Sequence, residues 1–545
     1  MSGPSITETE KAAVRAAVFG HLSGIVMAPT IKALWDRRVF ELFDAGRWVG
    51  LNEVVEYTGG NRGYLRVALR LMSSAGWMSQ RVEDNGTRPS YMLTPEGASA
   101  LKFAPPLYGE VVSFVPKALF LEDFLFGSSD EPVLPSLREF VSRAREGWGI
   151  HPEHNLESAK ISQQVRRHLE GMLIGPAMVA LARSGILARI EQGPVKLASM
   201  GNQASLSCVF DLLAGQGWVT RDSTSVSLTP CGRYAAQIAT SYGVTVSYLP
   251  TFEAVSTLLF GNPRIPRLDD TGIELLVNRG MNVWGSGGAH KTYFKKVDEI
   301  IIEIFNRPLN QQPRGVCDMG CGDGSFLEHV YSVVRTQTAR GQALDRSPLI
   351  IVGADFNKVA RRVTKQNLRK AEIPTYHVIH GDINRPARLA GDLEQLGLDI
   401  HDLLHVRSFL DHNRPYLPPA DYQSGSRAGR STGAFAYLGQ EIPPDELEEN
   451  LVRHLRRWAP YVGRFGLLTL ELHTLPPELA TASLERTPAV AYDGTHGFSD
   501  QYLVEVPIFM DCVREAGLHA DPRLQCKFPP SELATVSINF LTTGD

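Results

Sequence analysis

Cysteine is scarce: 6 residues in 545, at positions 208, 231, 317, 321, 512 and 526. No C-x-x-C pair occurs among them, which leaves neither a disulfide framework nor a structural zinc site to be read. The closest two, Cys317 and Cys321, fall inside a strand-to-loop motif and read as packing residues. Excess charge is also missing. A formal net charge of -4 gives no global attraction for nucleic acid or an anionic membrane. No run approaches the ~18 apolar residues of a membrane span. The opening MSGPSITETEKAAVRAAV lacks the basic start and unbroken apolar core of a signal peptide. The expected location is cytoplasmic, with neither membrane nor nucleic acid as partner.

What is present is ordinary folded composition: 43% hydrophobic and 21% charged residues, with 49 Gly and 34 Pro. At roughly 100–200 residues per domain the length implies three or four units. An internal repeat organises the front half. HLSGIVMAPTIKALWDRRVF from His21 answers HLEGMLIGPAMVALARSGIL from His168, and SAGWM around Trp77 answers GQGWV around Trp218. LTPEG from Leu93 pairs with LTPCG from Leu228, YGEVVSFVP from Tyr108 with YGVTVSYLP from Tyr242, and FLFG ending at Gly127 with LLFG ending at Gly261. Each copy reads as three helices and a short β-hairpin stopped at Thr-Pro, the pattern of a winged helix. The boundaries expected are 1–127 and 161–264 for the modules with their trailing helices, and 128–160 for a connector rich in Ser, Asp, Pro and Gly.

Arg62, Arg66 and Arg70 recur every fourth residue and would line one helix face, as in a DNA-recognition helix. The second copy has no such stripe. Packing, dimerisation and cover for an active site are therefore the expected uses of the modules.

From 265 to 545 strands alternate with helices, which predicts a doubly wound α/β sheet in a Rossmann-like catalytic domain. The segment RGVCDMGCGDGSF gives a short strand, Asp318, and a loop with Gly320, Gly322 and Gly324, followed at once by a helix. The loop falls at the C-terminal end of the first strand, where such folds place ligands. The next strand, LIIVGADFN, ends in Asp355, and the third, TYHVIHGDIN, in Asp382. Three acids at three successive strand ends make the pattern specific. It resembles class I methyltransferases, and the resemblance implies S-adenosylmethionine as cofactor. On that resemblance Asp355 would take the ribose hydroxyls, a task for a bidentate acceptor, and Asp382 the adenine amino group. The donor-binding set is then Asp318, Gly320, Gly322, Gly324, Asp355, Phe356, Asp382, Ile383, Arg407 and Ser408. The front half resembles a doubled form of the winged-helix module carried by small-molecule O-methyltransferases. Residues 280–294, rich in Gly and aromatics, are expected to fold over the donor as a lid, with His290 and Tyr293 near the sulfonium.

The acceptor should meet the donor beyond strands four (HDLLHVRSFLD) and five (FGLLTLELH). There lie SFLDHNRPY, His473 at the end of strand five, and YDGTHGFSDQYLVE with His496, Asp500 and Gln501. Two chemistries stay open. His412, His473 or His496, with Tyr293 nearby, would act as catalytic groups, a His serving as general base with a carboxylate fixing its tautomer. Alternatively Asp411, His473 and Gln501 would hold Mn²⁺ or Fe²⁺ to polarise a carbonyl, with His412 the neighbouring candidate ligand. The clusters are similar to those of the metal-dependent C-methyltransferases of polyketide synthase loading modules, which implies a small-molecule or carrier-bound acceptor. A metal-free O-, S- or oxo-acid methyltransferase is the alternative, and a methyl-donor-sensing winged-helix regulator the alternative of another class. Residues 421–446 read as a mobile insertion, in which Arg427 and Arg430 could dock a phosphopantetheine carrier and Tyr437, Gln440 and Glu441 could face the substrate. A homodimer is a further expectation.

Overall fold

The computed structural model describes residues 6–44, 46–83, 88–127, 133–151, 156–222, 224–265, 267, 274–423 and 425–544, with backbone alone at 156 and 288–292. The first helix, α1 (Glu8–Asp36), starts where Thr7 and Glu10 cap one another's backbone amides, a reciprocal capping box. It contains an 18-residue window of mean hydropathy 1.3, apolar enough to cross a membrane by length and composition. That corrects the expectation that nothing approaches such a run. Within the fold 78% of the window is buried, so the helix serves as a core element.

In the front half α1 packs against α4 (Leu156–Arg183) at the centre. The front half also holds two three-stranded sheets, one of order β1-β3-β2 (Val49–Gly50, Met78–Glu83, Arg88–Leu93) and one of order β4-β6-β5 (Val195–Lys196, Val219–Arg221, Ser225–Leu228). Thr94 and Thr229 each cap the helix after the last hairpin strand, accepting from Gly97 and Gly232. Two buried polar pairs cross between the halves of this unit: His21 Nδ1 to Tyr242 at 2.7 Å and His168 Nδ1 to Tyr108 at 2.7 Å. Burial pulls both imidazoles down to about 3, so they stay neutral. Residues 128–160 are not a plain connector. Helix α3 (Leu134–Arg145) buries Leu137, Phe140 and Val141, and α4 begins inside the segment; 128–132 and 152–155 lie outside the described residues.

The C-terminal half is built on one seven-stranded mixed sheet, β14-β15-β13-β10-β7-β8-β9. Strands β7 (Gly315–Met319), β8 (Ile350–Asp355), β9 (Tyr376–His380), β10 (Leu403–Ser408) and β13 (Leu467–Leu472) run parallel, while β14 (Leu518–Phe528) and β15 (Val536–Thr543) form an antiparallel hairpin against β13. Strands covered on both faces read as continuous apolar runs, and β7 and β13 are buried along their whole length. The segment 280–294 is no separate flap. It is the first half of α5 (Arg279–Phe305), held against the front half where Gly285 meets Gly243; a Cβ on Gly243 would lie 2.5 Å from the Gly285 Cα. The side chain of His290 lies outside the described residues.

The two halves are joined by the arginine stripe. On α2 (Arg62–Ser74), Arg62 and Arg66 both pair with Glu441, and Arg70 pairs with Asp493. Arg70 also donates to the Leu475 carbonyl at 2.7 Å. The stripe is an interdomain ion-pair rail and is not presented to DNA. Glu441 sits on β12 (Gln440–Ile442), which pairs with β11 (Phe435–Tyr437). This part of 421–446 is therefore an ordered hairpin against α2. Arg427 contacts Glu515 at 3.0 Å and Glu448 at 3.4 Å, and Arg430 pairs with Asp511. These acids neutralise the expected basic dock, and Glu441 faces the rail and not a substrate.

Candidate active site

The donor loop leaves β7 through backbone that only glycine adopts readily: Gly320, Gly322 and Gly324 have φ of +80°, +56° and +82°. Side chains at Gly320 and Gly324 would meet Leu410 at 2.9 Å and Thr364 at 2.8 Å. Asp318, the one charged residue in the buried strand, has an unpartnered, buried Oδ1. Burial, then the charges of Asp355 and Asp323, push its carboxyl up to about 8. An acid with an empty lone pair calls for a cationic group, and the methyl donor carries an ammonium and a sulfonium. Asp355 accepts from the Gly322 amide at 3.0 Å and the Asn357 amide at 2.7 Å, which fixes it at the end of β8. Phe356 is 72% exposed, an apolar platform beside His380. The residues present thus suit an adenosyl donor.

Asp318, Gly320, Gly322 and Ser408 line one pocket of about 620 Å³. Its far wall carries Tyr293, Phe409, His412, Tyr492, His496 and Gln501. Asp382 accepts from the Asn384 amide at 2.9 Å at the end of β9, and Ile383 contributes its carbonyl to Trp458 at 2.7 Å. Arg407 departs from the expected donor set. Its side chain turns to the other side of the sheet, pairs with Asp411 and lies 4.2 Å from the Trp458 ring centroid.

The predicted metal triad is not brought together. Asp411 is tied to Arg407 and, at 2.9 Å, to His454, away from the pocket. His473 is fully buried, its ring bridging the Val504 carbonyl at 3.0 Å and Ser537 at 2.7 Å, and it does not line the pocket. That corrects its assignment both as ligand and as base: the chain turns away at the end of β13, carrying the ring into the core. Only Gln501 of the three reaches the pocket. Among the described residues no group of three or more His, Cys, Asp or Glu is arranged to hold a metal ion.

What gathers instead is His412, His496, Gln501 and Glu471. His412 Nδ1 is bonded to Glu471, whose carboxylate also accepts from the His412 amide at 3.1 Å and the Leu472 amide at 2.6 Å. The carboxylate holds the proton on Nδ1, leaving the Nε2 lone pair for the pocket that His412 lines. His496 lies 5.3 Å away, ring to ring, with Nδ1 3.0 Å from the Tyr492 carbonyl. Burial, then the neighbouring His412, depress it to about 3, so it stays a neutral acceptor. Tyr293 is pushed up to about 12 by burial and keeps its proton.

Glu471 was not singled out from the sequence, although one acid inside the apolar strand FGLLTLELH is a usable signal. Tyr248 was also missed. It comes from the front half, bonds Gln501 at 2.7 Å and lines the pocket. In the matching segment YGEVVSFVP the same place holds Phe114, so the added hydroxyl is the visible trace. Asp500 lies outside the pocket, paired with Arg267 at 2.8 Å and Tyr64 at 2.7 Å.

Comparison with known proteins fits this anatomy. Residues 274–539 match the family described as AprA MT2-like domain, 14–80 the AprA N-terminal domain and 170–262 the AprA winged helix domain. The families thus name one winged helix, preceded by an N-terminal domain. A 2-ketoarginine methyltransferase from Streptomyces arginensis is 26% identical over 215 residues, 38% of this chain; the match spans 58% of that curated relative's length. Among solved structures, the mitomycin 7-O-methyltransferase MmcR aligns at 12% identity and TM-score 0.41 over 71% of this chain and 98% of its own. The CurJ carbon methyltransferase aligns at 12% and 0.33 over 76% and 97%.

Proposed function

We propose, on the premise that this chain is a methyltransferase of the AprA MT2-like kind, that it methylates carbon in an enolisable carbonyl compound, a 2-oxo acid or an acyl thioester. The observation that carries this is His412, held by Glu471 behind it and lining the same pocket as the donor loop. When bound, S-adenosylmethionine supplies an electrophilic methyl group on sulfur. His412 Nε2 takes a proton from the carbon beside the carbonyl, and Glu471 stabilises the imidazolium that results. The electron pair of that C–H bond becomes the enolate, to which the donor would give up its methyl group, departing as the neutral thioether. The His412 proton leaves to water after the product has departed. Neutral His496 and the Gln501 amide orient the carbonyl compound, and the aromatic wall of Tyr293, Phe409 and Tyr492 excludes water.

One observation favours a second reading. His412, His496 and Gln501 face one pocket, and two imidazoles with an amide suit Mn²⁺ or Fe²⁺ better than tetrahedral zinc. Such an ion would polarise the carbonyl. Incubation with labelled donor and 2-oxopentanoate or malonyl thioesters, with and without added Mn²⁺ or Fe²⁺, tests both. A C-methyl product formed in chelator supports the base mechanism. Near-stoichiometric metal lost in His496→Ala and Gln501→Ala supports the second reading, and methyl found only on oxygen or sulfur overturns carbon as the acceptor.

We also read the front half as two copies of one module packed as an internal pseudodimer. The matching strand orders and the reciprocal His–Tyr pairs support this. Such packing makes within one chain the contact that two subunits would otherwise make. A gel-filtration mass near the chain's own 60.0 kDa is the expected result, and twice that value would favour a homodimer. The acceptor, free or carrier-bound, would be the only other partner, and the expected location remains the cytoplasm.

A further inference from the structure

Among the described residues lining the pocket, Arg279 is the one Lys or Arg; the other charged groups, Asp318 and Asp323, belong to the donor loop. Arg279 stands at the start of α5, just after Asn278, which caps the helix. Its fork is occupied by Glu274, Nε to Oε2 at 2.6 Å and Nη2 to Oε1 at 3.0 Å. Two parallel bonds of this kind are the geometry in which a guanidinium grips any planar carboxylate. Neither partner is sealed in: the side chains keep 44% and 35% of their surface. Exposed pairs are weakly held, so exchange of Glu274 for another carboxylate costs little. The guanidinium charge adds to burial and to His412 in keeping His496, on the acceptor wall, neutral.

We propose that Arg279 anchors a carboxylate of the acceptor, with Glu274 occupying the fork in the empty enzyme, so that the pocket selects enolisable carbonyl compounds bearing a carboxylate. This rests on the pocket being the methyl-transfer site. The methyl donor also carries a carboxylate, so the two sources must be separated by experiment.

The test uses the full chain, wild type, Arg279→Gln and Glu274→Gln. Binding of 2-oxopentanoate, its methyl ester and S-adenosylhomocysteine is measured by calorimetry. Losing the contact of a partly exposed guanidinium should weaken 2-oxopentanoate by about 2–5-fold in Arg279→Gln. The ester and S-adenosylhomocysteine should bind alike in both proteins, and Glu274→Gln should bind the oxo acid more tightly than wild type. That opposite sign is not produced by a merely structural role. Three results would overturn the proposal: weakened S-adenosylhomocysteine with unchanged oxo acid, unchanged binding of both, or no binding of 2-oxopentanoate by wild type. Arg279-dependent binding without a C-methyl product would sink the reaction and leave the anchor standing. Equal product formation by Arg279→Gln would do the reverse.

Discussion

Replacing Glu471 by Gln tests the site at its most sensitive point. The carboxylate makes three contacts: Oε1 with His412 Nδ1 and the Leu472 amide, and Oε2 with the His412 amide. All three partners donate, and an amide can accept through only one of its two ends. If the Gln oxygen stays on Nδ1–H, its NH₂ faces the His412 amide, a buried donor–donor clash costing about 1–3 kcal/mol. If the amide turns over, its NH₂ donates to Nδ1 and the imidazole proton moves to Nε2, where the base lone pair was needed. The first arrangement leaves the imidazolium without its counter-charge and the second removes the lone pair, and general-base catalysis is worth about 10²–10⁴ in rate. The expected outcome is a fall in kcat of about 10²-fold or more, equivalent to at least ~2.7 kcal/mol of barrier. Donor affinity should be unchanged, since Glu471 does not line the pocket. Single-turnover methyl transfer reads kcat, and titration with S-adenosylhomocysteine reads the donor site. The double variant His412→Ala with Glu471→Gln should be no slower than His412→Ala alone, because the two act as a unit. A Glu471→Gln enzyme within threefold of wild type would refute the dyad.

Three further outcomes follow from the buried charges. His21 and His168 stand at about 3 in the fold, below the 6.5 of a free imidazole, so the unfolded chain takes up protons first. Their contribution is intact above pH 6.5 and lost as pH falls; at pH 5 the two together cost about 4 kcal/mol. Urea unfolding at pH 7 and pH 5 checks this, and equal midpoints would contradict it. Asp318, raised to about 8, is mostly protonated at pH 7 in the empty site. A cationic donor should expel that proton, so calorimetry in buffers of different ionisation enthalpy should register roughly one proton released per donor bound. Glu441→Gln leaves Arg66, with 1% of its side chain accessible, without its counter-charge and should destabilise the protein by about 3–5 kcal/mol in thermal or denaturant unfolding. A loss under 1 kcal/mol would mean that the rail does not join the halves.

Local chemistry made the sheet and donor loop legible before any coordinates. Parallel strands buried on both faces need long apolar runs, tight loops need glycine, and an acid closing such a run has no packing reason to be there. Asp318, Gly320, Gly322, Gly324 and Asp355 follow those rules; Asp382, beyond the half-buried β9, was legible only through the family resemblance. Matched Thr-Pro and His positions in the front half do matched jobs, Thr94 and Thr229 as helix caps and His21 and His168 in buried pairs with tyrosine.

Whether a polar side chain at a strand end turns toward the pocket or the core is decided by partners far away in sequence. His473 was drawn inward by Val504 and Ser537, and Asp411 by Arg407 and His454, while His412, adjacent to Asp411, was held outward by Glu471. The arginine stripe looked like a solvent-facing stripe until Glu441 and Asp493, more than 350 residues away, were seen to neutralise it. Sequence fixes what each residue can donate, accept or bury; only the folded chain settles which distant group satisfies it, because burial forces every charge and proton to find a partner.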